Sequence, residues 1–411
     1  MVYNMSKRVV IIGGGASGLM AAITAARKGA AVTLVEHKDR VGKKILMTGN
    51  GKCNLTNMSD IHGKYYGNDV ERIYGIIERF SAEDTRAFFR QIGLYTKEKR
   101  DGGVYPVSEQ AASVLDVLRT ECEHCHIKIL TDTKVLEIIP NENGGTVLAQ
   151  KAIREEAPAT KPKKGAGSKK TAAKSVIVGQ EEVRLSYDSL ILAAGGQAAA
   201  VSGSDGSGYQ LAKKLGHTVI KPLPALVQLK CEGDYFKMVA GVRAQAALKL
   251  YIRGELCANE EGELQLTDYG ISGIPVFQFS RLAARAIYEQ EVGLVKAKKD
   301  SIRVEIDFLT YMSEKDIVEL RNARKGFAYK TIEEFLGGIV HKKLAVLVCY
   351  KLQLSPNTKL EQLTEKEFAA CMDCLRSFQV IVTGTNSYDS AQVCCGGIPL
   401  DEIKDSLLVL L

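Results

Sequence analysis

A chain of 411 residues with 45% apolar and 25% charged residues has the balance of an ordinary globular protein, long enough for two or three domains. That balance excludes disordered, collagen-like and membrane-embedded classes for the chain as a whole. The formal charge of +7 is local: Lys151, Arg154, Lys161, Lys163, Lys164, Lys169, Lys170 and Lys174, against Glu155 and Glu156, supply +6 of it, so a nucleic-acid-binding face is not expected.

Arg8–Ile12 is a short apolar run of the kind that forms a buried parallel strand. Gly13–Gly18 is a turn, Ala16–Lys28 has helical spacing, and Gly29 stops that helix. Ala31–Val35 is the second strand of a β-α-β unit. Met1–Arg8 runs straight into this unit, so no signal peptide is expected and the protein is placed in the cytoplasm. Helical patterns follow at Val70–Ile92 and Ala111–Cys122. Short β runs then come at Lys128–Leu130, Val135–Ile139, Thr146–Ala149, Val176–Val178, Val183–Leu185 and Leu190–Ala193, a meander returning to the parallel sheet.

Between two of those runs, residues 153–175 are rich in Ala, Gly, Pro, Ser and Lys and are expected to be a disordered basic loop. From residue 204 the texture changes. Mixed strands reach Ile306, and helical patterns follow at Ser313–Ala323, Thr331–Leu336, His341–Leu352 and Glu365–Leu375. The expected organisation is a dinucleotide-binding domain over 1–203, an inserted substrate domain over 204–378, and a return of the first domain over 379–411 that begins at Phe378–Val382. The apolar end Leu407–Leu411 is too short to span a membrane.

Gly13-Gly14-Gly15-Ala16-Ser17-Gly18 satisfies G-x-G-x-x-G, with a strand before it, a helix after it, and Glu36 at the end of the second strand. Gly13 permits the tight turn, Gly15 lets backbone approach a pyrophosphate, and Gly18 lets helix and strand pack closely. Amides at the helix start, at Ala16 and Ser17, would face phosphates with the positive end of the helix dipole. Glu36 would accept hydrogen bonds from ribose hydroxyls and repel a 2′-phosphate. The fingerprint alone does not separate NAD from FAD. The glycine-rich, small polar stretch Gly42–Asn57 suits a longer, extended cofactor.

The blocks GGGASGLMAAITAARKG, GKKILMTGNGKCNLTN, GGVYPVSEQAASVLDVL, ILAAGGQAAAVSGSDGSGYQLAKKLGH, LTDYGISGIPVFQFSR and AQVCCGGIPLDEI run through most of the sequence. In them the chain resembles the BaiN-like and aminoacetone-oxidase-like bacterial NAD(P)/FAD-dependent oxidoreductases. The resemblance implies an α/β protein: an FAD/NAD(P)-binding Rossmann-like ββα fold of the glutathione-reductase-like type with an inserted α+β domain. It implies FAD held by Gly13, Gly15, Ala16, Ser17, Gly18, Glu36, His37, Lys43 and Lys44, by the loop Thr48, Gly49, Asn50, Gly51, Cys53 and Asn54, by Val135 at the adenine, and by Ala194, Gly195 and Gly196. Hydride would pass between flavin N5 and a small organic substrate or a transiently docked NAD(P)H. Family members continue past AQV-x-x-GG through a further strand, turn and helix, so the return domain is expected to be incomplete, with weaker FAD binding. The alternatives are an NAD-dependent dehydrogenase and a flavin- or nucleotide-binding protein without turnover.

Other candidates read more plainly. Cys53, Cys394 and Cys395 are expected as small packing residues, and ten cysteines without a secretory signal as reduced thiols. Cys122-x-x-Cys125 and Cys371-x-x-Cys374 are too far apart in sequence for an ordinary zinc site, so no metal is expected. His217 is expected to cap the helix before it. Gly203–Gly208 reads as the hinge into the insert, and Tyr269 and Ser272 face substrate only by the resemblance. No catalytic residue is assigned, and the oligomeric state is open.

Overall fold

Apolar residues at every position of a short strand make sense only where neither face meets water, and Arg8–Ile12 is such a strand. The computed structural model describes residues 6–156, 175–296 and 301–404. In it β1 (Arg8–Ile12) leads through α1 (Ala16–Arg27) to β2 (Ala31–Val35). Helices α2 (Lys43–Met47), α3 (Val70–Glu78), α4 (Ala82–Gln91) and α5 (Ala111–His124) follow. Next come β3 (Lys128–Leu130), β4 (Thr133–Asn141), β5 (Gly144–Glu156), β6 (Ser175–Tyr187), β7 (Ser189–Leu192) and α6 (Ser207–Lys214).

The parallel sheet has the order β7-β1-β2-β3, with Val10 level with Thr33 on one side and Leu190 on the other. Both faces are covered. Ile11, Leu19, Ile23, Leu34 and Leu118 pack beneath α1 and α5, while Val10, Ile12, Val35 and Val147 pack toward the meander β4-β5-β6. The pattern expected at 70–92 is two helices, not one. Ser81 and Asp84 form a reciprocal capping box that starts α4 afresh after α3 ends at Glu78.

The runs Val176–Val178 and Val183–Leu185 belong to one strand, β6, paired with β5 as far as Glu156 opposite Ser175. The expected loop therefore starts later than residue 153, because a β ladder needs only backbone groups and continues past the last apolar side chain. Residues 157–174, on which the rest of that expectation falls, lie outside the described residues, as does the apolar end from 405.

The second architecture is a closed six-stranded barrel built from β8 (Leu229–Cys231), β9 (Arg243–Ile252), β10 (Glu255–Leu266), β11 (Gly270–Gly273), β12 (Ile302–Asp307) and β13 (Phe378–Thr385). Its order is β8-β11-β10-β9-β12-β13. Alternate residues point inward: Ala246, Leu248 and Leu250 on β9, Val304 and Ile306 on β12, Val380 and Val382 on β13, all buried. Helix α7 (Ile274–Glu291) packs Val276, Phe279 and Ala283 into the same core. Helices α8 (Glu314–Ala323), α9 (Ile332–Leu336) and α11 (Glu365–Arg376) each open on a capping box, and α10 (Lys342–Leu352) opens on His341.

The described residues within Met1–Gly196, Ala200–Ile220 and Gly397–Leu411 form one compact unit, and those within Gln197–Ala199 and Lys221–Gly396 the other. These limits differ from 204 and 378 for two physical reasons. Leu211 of α6 is in one core with Val10, Ile12 and Val135, so α6 stays with the parallel sheet. Phe378–Val382 does not return to that sheet: β13 closes the barrel between β12 and β8. No helix among the described residues is long and apolar enough to cross a membrane.

Candidate nucleotide-binding site

Three glycines at the end of β1 have three different reasons to be glycine. Gly13 has φ +108°, and a Cβ there would lie 2.3 Å from the Ala193 carbonyl oxygen. A Cβ at Gly18 would lie 1.8 Å from the Gly13 carbonyl oxygen, so α1 packs onto the turn only without one. At Gly15, by contrast, a Cβ would meet nothing within 4 Å. Gly15 is the N-cap of α1, with no side-chain cap and no acid in the first turn, and Ala16 and Ser17 are exposed. A helix start of this kind presents unpaired N–H groups and positive dipole to solvent, with cleared space in front. It fits the pyrophosphate of a dinucleotide.

Glu36 stands beside this turn and is only 8% exposed. Its Oε2 accepts the Gly14 N–H at 2.8 Å and its Oε1 accepts the Lys38 N–H at 2.8 Å. A carboxylate offers about four acceptor positions. Two are filled by backbone, and the rest suit the two hydroxyls of a ribose. His37 Nδ1 lies 3.3 Å from Oε1, and its buried Nε2 makes no hydrogen bond. Val41 fills the space beside Gly14, and the Gly14 carbonyl accepts the Gly42 N–H at 2.7 Å.

The remaining expected residues divide into those near the glycine turn and those held elsewhere. Lys43 forms an ion pair with Asp39 one turn away, a bond that pulls the Asp39 carboxyl below its ordinary pKa. Lys44 Nζ is 3.5 Å from Ser204 Oγ. Thr48, Gly49, Asn50 and Gly51 form one 3₁₀ turn, fastened where Thr48 Oγ1 donates to the Ile45 carbonyl at 2.6 Å. Cys53 has φ +57° and is buried, and burial pushes its thiol up. The Asn54 side-chain amide lies beside the carbonyls of Thr56 and Val104, to which its nitrogen donates once the amide is turned over.

Lys52, in the same loop, pairs with Glu109 at 2.9 Å, and Lys97 pairs with the other oxygen at 2.6 Å. These two bonds, Lys97 first, hold the Glu109 carboxyl down at about 2. The Val135 side chain lies in the core with Ile12, so this residue can offer a ligand only backbone, at the register shift of β4.

Ala194 lies against Gly13, and Gly195 has φ +74° with Ser204 Oγ 3.0 Å from where its Cβ would be. The Gly196 carbonyl accepts the Gly206 N–H at 3.1 Å. The segment expected as a hinge, Gly203–Gly208, therefore packs against Ala194–Gly196 and the residues after β2. Gly203 lies beside His37 and Glu36. Ser204 and Asp205 were not singled out from the sequence. The signal available was the dense alternation of glycine with small polar residues in Gly203-Ser204-Asp205-Gly206, read as flexibility when it permits close approach.

His217 does not cap α6 with its side chain. Its backbone N–H bonds the Ala212 carbonyl, and its Nδ1 pairs with Glu402 at 3.0 Å. In the barrel unit Tyr269 OH accepts from Asn386 Nδ2 at 2.9 Å, and Ser272 is buried. Among the described residues no group of three or more His, Cys, Asp or Glu could hold a metal ion.

The family profile of the HI0933-like protein Rossmann domain matches residues 7–161, and that of the HI0933-like protein barrel and H2TH domain matches residues 223–393. A 3-dehydro-bile acid delta(4,6)-reductase of Clostridium scindens is 37% identical over 404 residues, 98% of this chain and 89% of that protein. The chain belongs to the HI0933-like family of FAD-dependent oxidoreductases. Ribosomal RNA dihydrouridine synthases of Escherichia coli and Haemophilus influenzae are 25% and 24% identical, covering 96% and 97% of this chain and 86% and 88% of theirs. The resemblance read from the motif blocks and the Rossmann-like α/β fold hold, and the flavin reading prevails over an NAD-dependent dehydrogenase.

Proposed function

We propose that this flavin-dependent oxidoreductase holds FAD along the Gly13–Gly18 turn, the Glu36 carboxylate and the Thr48–Asn54 loop, and reduces a carbon–carbon double bond of a small organic substrate. The observation that carries the placement is the uncapped start of α1, open at Gly15, next to a carboxylate with only half its acceptor positions filled by backbone. When bound, FAD supplies the hydride-transferring ring; the chain supplies binding and orientation. The N–H groups of Ala16 and Ser17 neutralise the pyrophosphate, Glu36 tethers the ribose, and Gly195, lacking a Cβ, leaves room for Ser204. The ion pair Lys52–Glu109 ties the Thr48–Asn54 loop to the chain beyond Pro106.

Double-bond saturation as the reaction is supported by relatives whose names speak of a delta(4,6)-reductase and of dihydrouridine synthesis. A small-molecule substrate in the barrel unit follows the more similar of the two, at 37% identity. The sequence holds no second strand–G-x-G-x-x-G–helix unit, so NAD(P)H in this reading is a transient reductant. The test is a visible spectrum of the purified protein with mass determination of the released cofactor, followed by anaerobic addition of NADH or NADPH. Flavin absorbance that the nicotinamide bleaches is the expected result. Protein that neither carries nor takes up FAD overturns the placement, and bound FAD that no nicotinamide reduces overturns the reductant.

A further inference from the structure

We infer that Glu109 is the positioning residue of the Thr48–Asn54 loop: its carboxylate holds Lys52 against a neighbouring strand and so keeps the loop in the shape that takes FAD. This deepens the proposed function and rests on its placement of FAD along that loop. Short-range bonds fasten the loop at its two ends. Thr48 Oγ1 donates to the Ile45 carbonyl at 2.6 Å, and beyond the buried Cys53 the Leu55 N–H bonds the Val104 carbonyl at 2.8 Å. Gly51 between them has φ +81° and nothing within 4 Å of where its Cβ would be, so packing does not pin it. Among the described side chains from Thr48 to Lys52, Lys52 is the one that bonds a residue distant in sequence, with Nζ 2.9 Å from Glu109 Oε2.

Glu109 closes the turn after the short strand Gly103–Pro106, where its N–H bonds the Pro106 carbonyl at 2.9 Å. Its φ is +53°, a left-handed conformation that glycine or asparagine adopts at less cost. The sequence nevertheless places a glutamate there, and both of its oxygens are engaged. Oε2 takes Lys52 from the loop, and Oε1 takes Lys97 Nζ at 2.6 Å from the strand Thr96–Glu98. Lys97 stands opposite Tyr105 in the ladder of those two strands, so the carboxylate is backed by sheet. The bland reading is a surface ion pair, of a kind that often contributes little. Two features set this one apart. One carboxylate serves two lysines, one on the loop and one on the sheet. Removing its charge therefore frees the loop and leaves two ammonium groups, gathered at one point, to repel each other.

The experiment measures amide hydrogen exchange in the full chain stripped of flavin, followed by titration with FAD. The reporter is the peptide Thr48–Leu55, in which the Cys53 and Leu55 N–H groups are hydrogen-bonded. Glu109→Gln should speed its exchange about two- to fivefold and weaken FAD binding by a similar factor. Lys52→Met should speed exchange equally, and the double variant should exchange no faster than either single one, because both remove the same bond. About 1 M salt should bring the wild-type loop toward the variant's rate. A merely structural glutamate would speed exchange through α5 and the parallel sheet as well, with effects that multiply in the double variant and ignore salt. That pattern, or unchanged loop exchange in Glu109→Gln, overturns the inference and leaves the placement of FAD standing. Faster loop exchange with unchanged FAD affinity overturns it from the other side, by removing the loop from the flavin site and with it the reading underneath.

Discussion

Gly14 donates its backbone N–H to Glu36 Oε2 at 2.8 Å, so the carboxylate proposed for the ribose is also part of the turn proposed for the pyrophosphate. The two roles separate by substitution. Glu36→Ala strands a buried N–H, at a cost of about 1–3 kcal/mol of stability, and removes the ribose acceptor. Glu36→Gln keeps a carbonyl oxygen for Gly14 and loses the charge. The alanine variant should melt several degrees lower and bind FAD more than tenfold more weakly. The glutamine variant should lose affinity with a much smaller change in melting temperature. Equal FAD affinity in both variants and the wild type would remove Glu36 from the site.

Gly15 and Gly18 make opposite predictions from the same motif. A Cβ at Gly18 collides with the Gly13 carbonyl at 1.8 Å, a backbone clash that side-chain movement cannot relieve. Gly18→Ala should therefore destabilise the free protein by about 1–3 kcal/mol or prevent folding. Gly15 has φ −79° and open space at the Cβ position, so Gly15→Ala should leave stability within about 0.5 kcal/mol. Its methyl group would stand where backbone must approach phosphate, and FAD affinity should fall about tenfold or more. Denaturant melts and FAD titrations of the two variants check this, and a Gly15→Ala protein that binds FAD normally would move the pyrophosphate elsewhere.

Much of this was legible beforehand because local rules and the fold agree. The β-α-β unit, the tight turn at Gly13 with close packing at Gly18, and the helices of the barrel unit all follow from short-range pattern. What was not legible depends on long-range pairing. Phe378–Val382 reads equally well as a strand of either sheet, and only its partners β8 and β12 settle that it closes the barrel. The same limit hid Asp205. Glycines at 203 and 206 signal conformational freedom, but whether that freedom serves flexibility or close approach is decided by His37, more than 160 residues earlier.

Acid should weaken the nucleotide-binding unit through Glu109 and Asp188. The side-chain bonds to Lys97 and Lys52 hold Glu109 at about 2, and those to Arg8 hold Asp188 at about 2. Unfolded values are about 4.3 and 3.9. A carboxyl with a depressed folded pKa contributes stability that is complete above the unfolded value and is lost as pH falls toward the folded one. Both contributions should fade between about pH 5 and pH 2. Both carboxylates are partly exposed, Glu109 by 33% and Asp188 by 32%, so molar salt should blunt the effect. Melting temperatures over that range should fall less steeply in Glu109→Gln and Asp188→Asn than in the wild type. An unchanged acid limb in both would show that these pairs contribute nothing to it.

Thiol reactivity separates a packing role for Cys53 from a redox role. The thiolate is the reactive form, and it needs both access and a low pKa. Cys53 is 6% exposed and burial pushes its thiol up, while Cys122, Cys231 and Cys371 are pushed up to about 12 by the same cause. Cys257, in β10, is exposed. A thiol reagent added to the folded protein at neutral pH should label Cys257 in the first phase and leave Cys53 among the slow thiols until denaturant is added. Cys53→Ser should still bind FAD, since the residue meets its surroundings as a small buried side chain and the backbone N–H to the Thr48 carbonyl, at 3.2 Å, is retained. Rapid labelling of Cys53, or loss of flavin reduction with retained flavin binding in Cys53→Ser, would instead give this thiol a part in the chemistry.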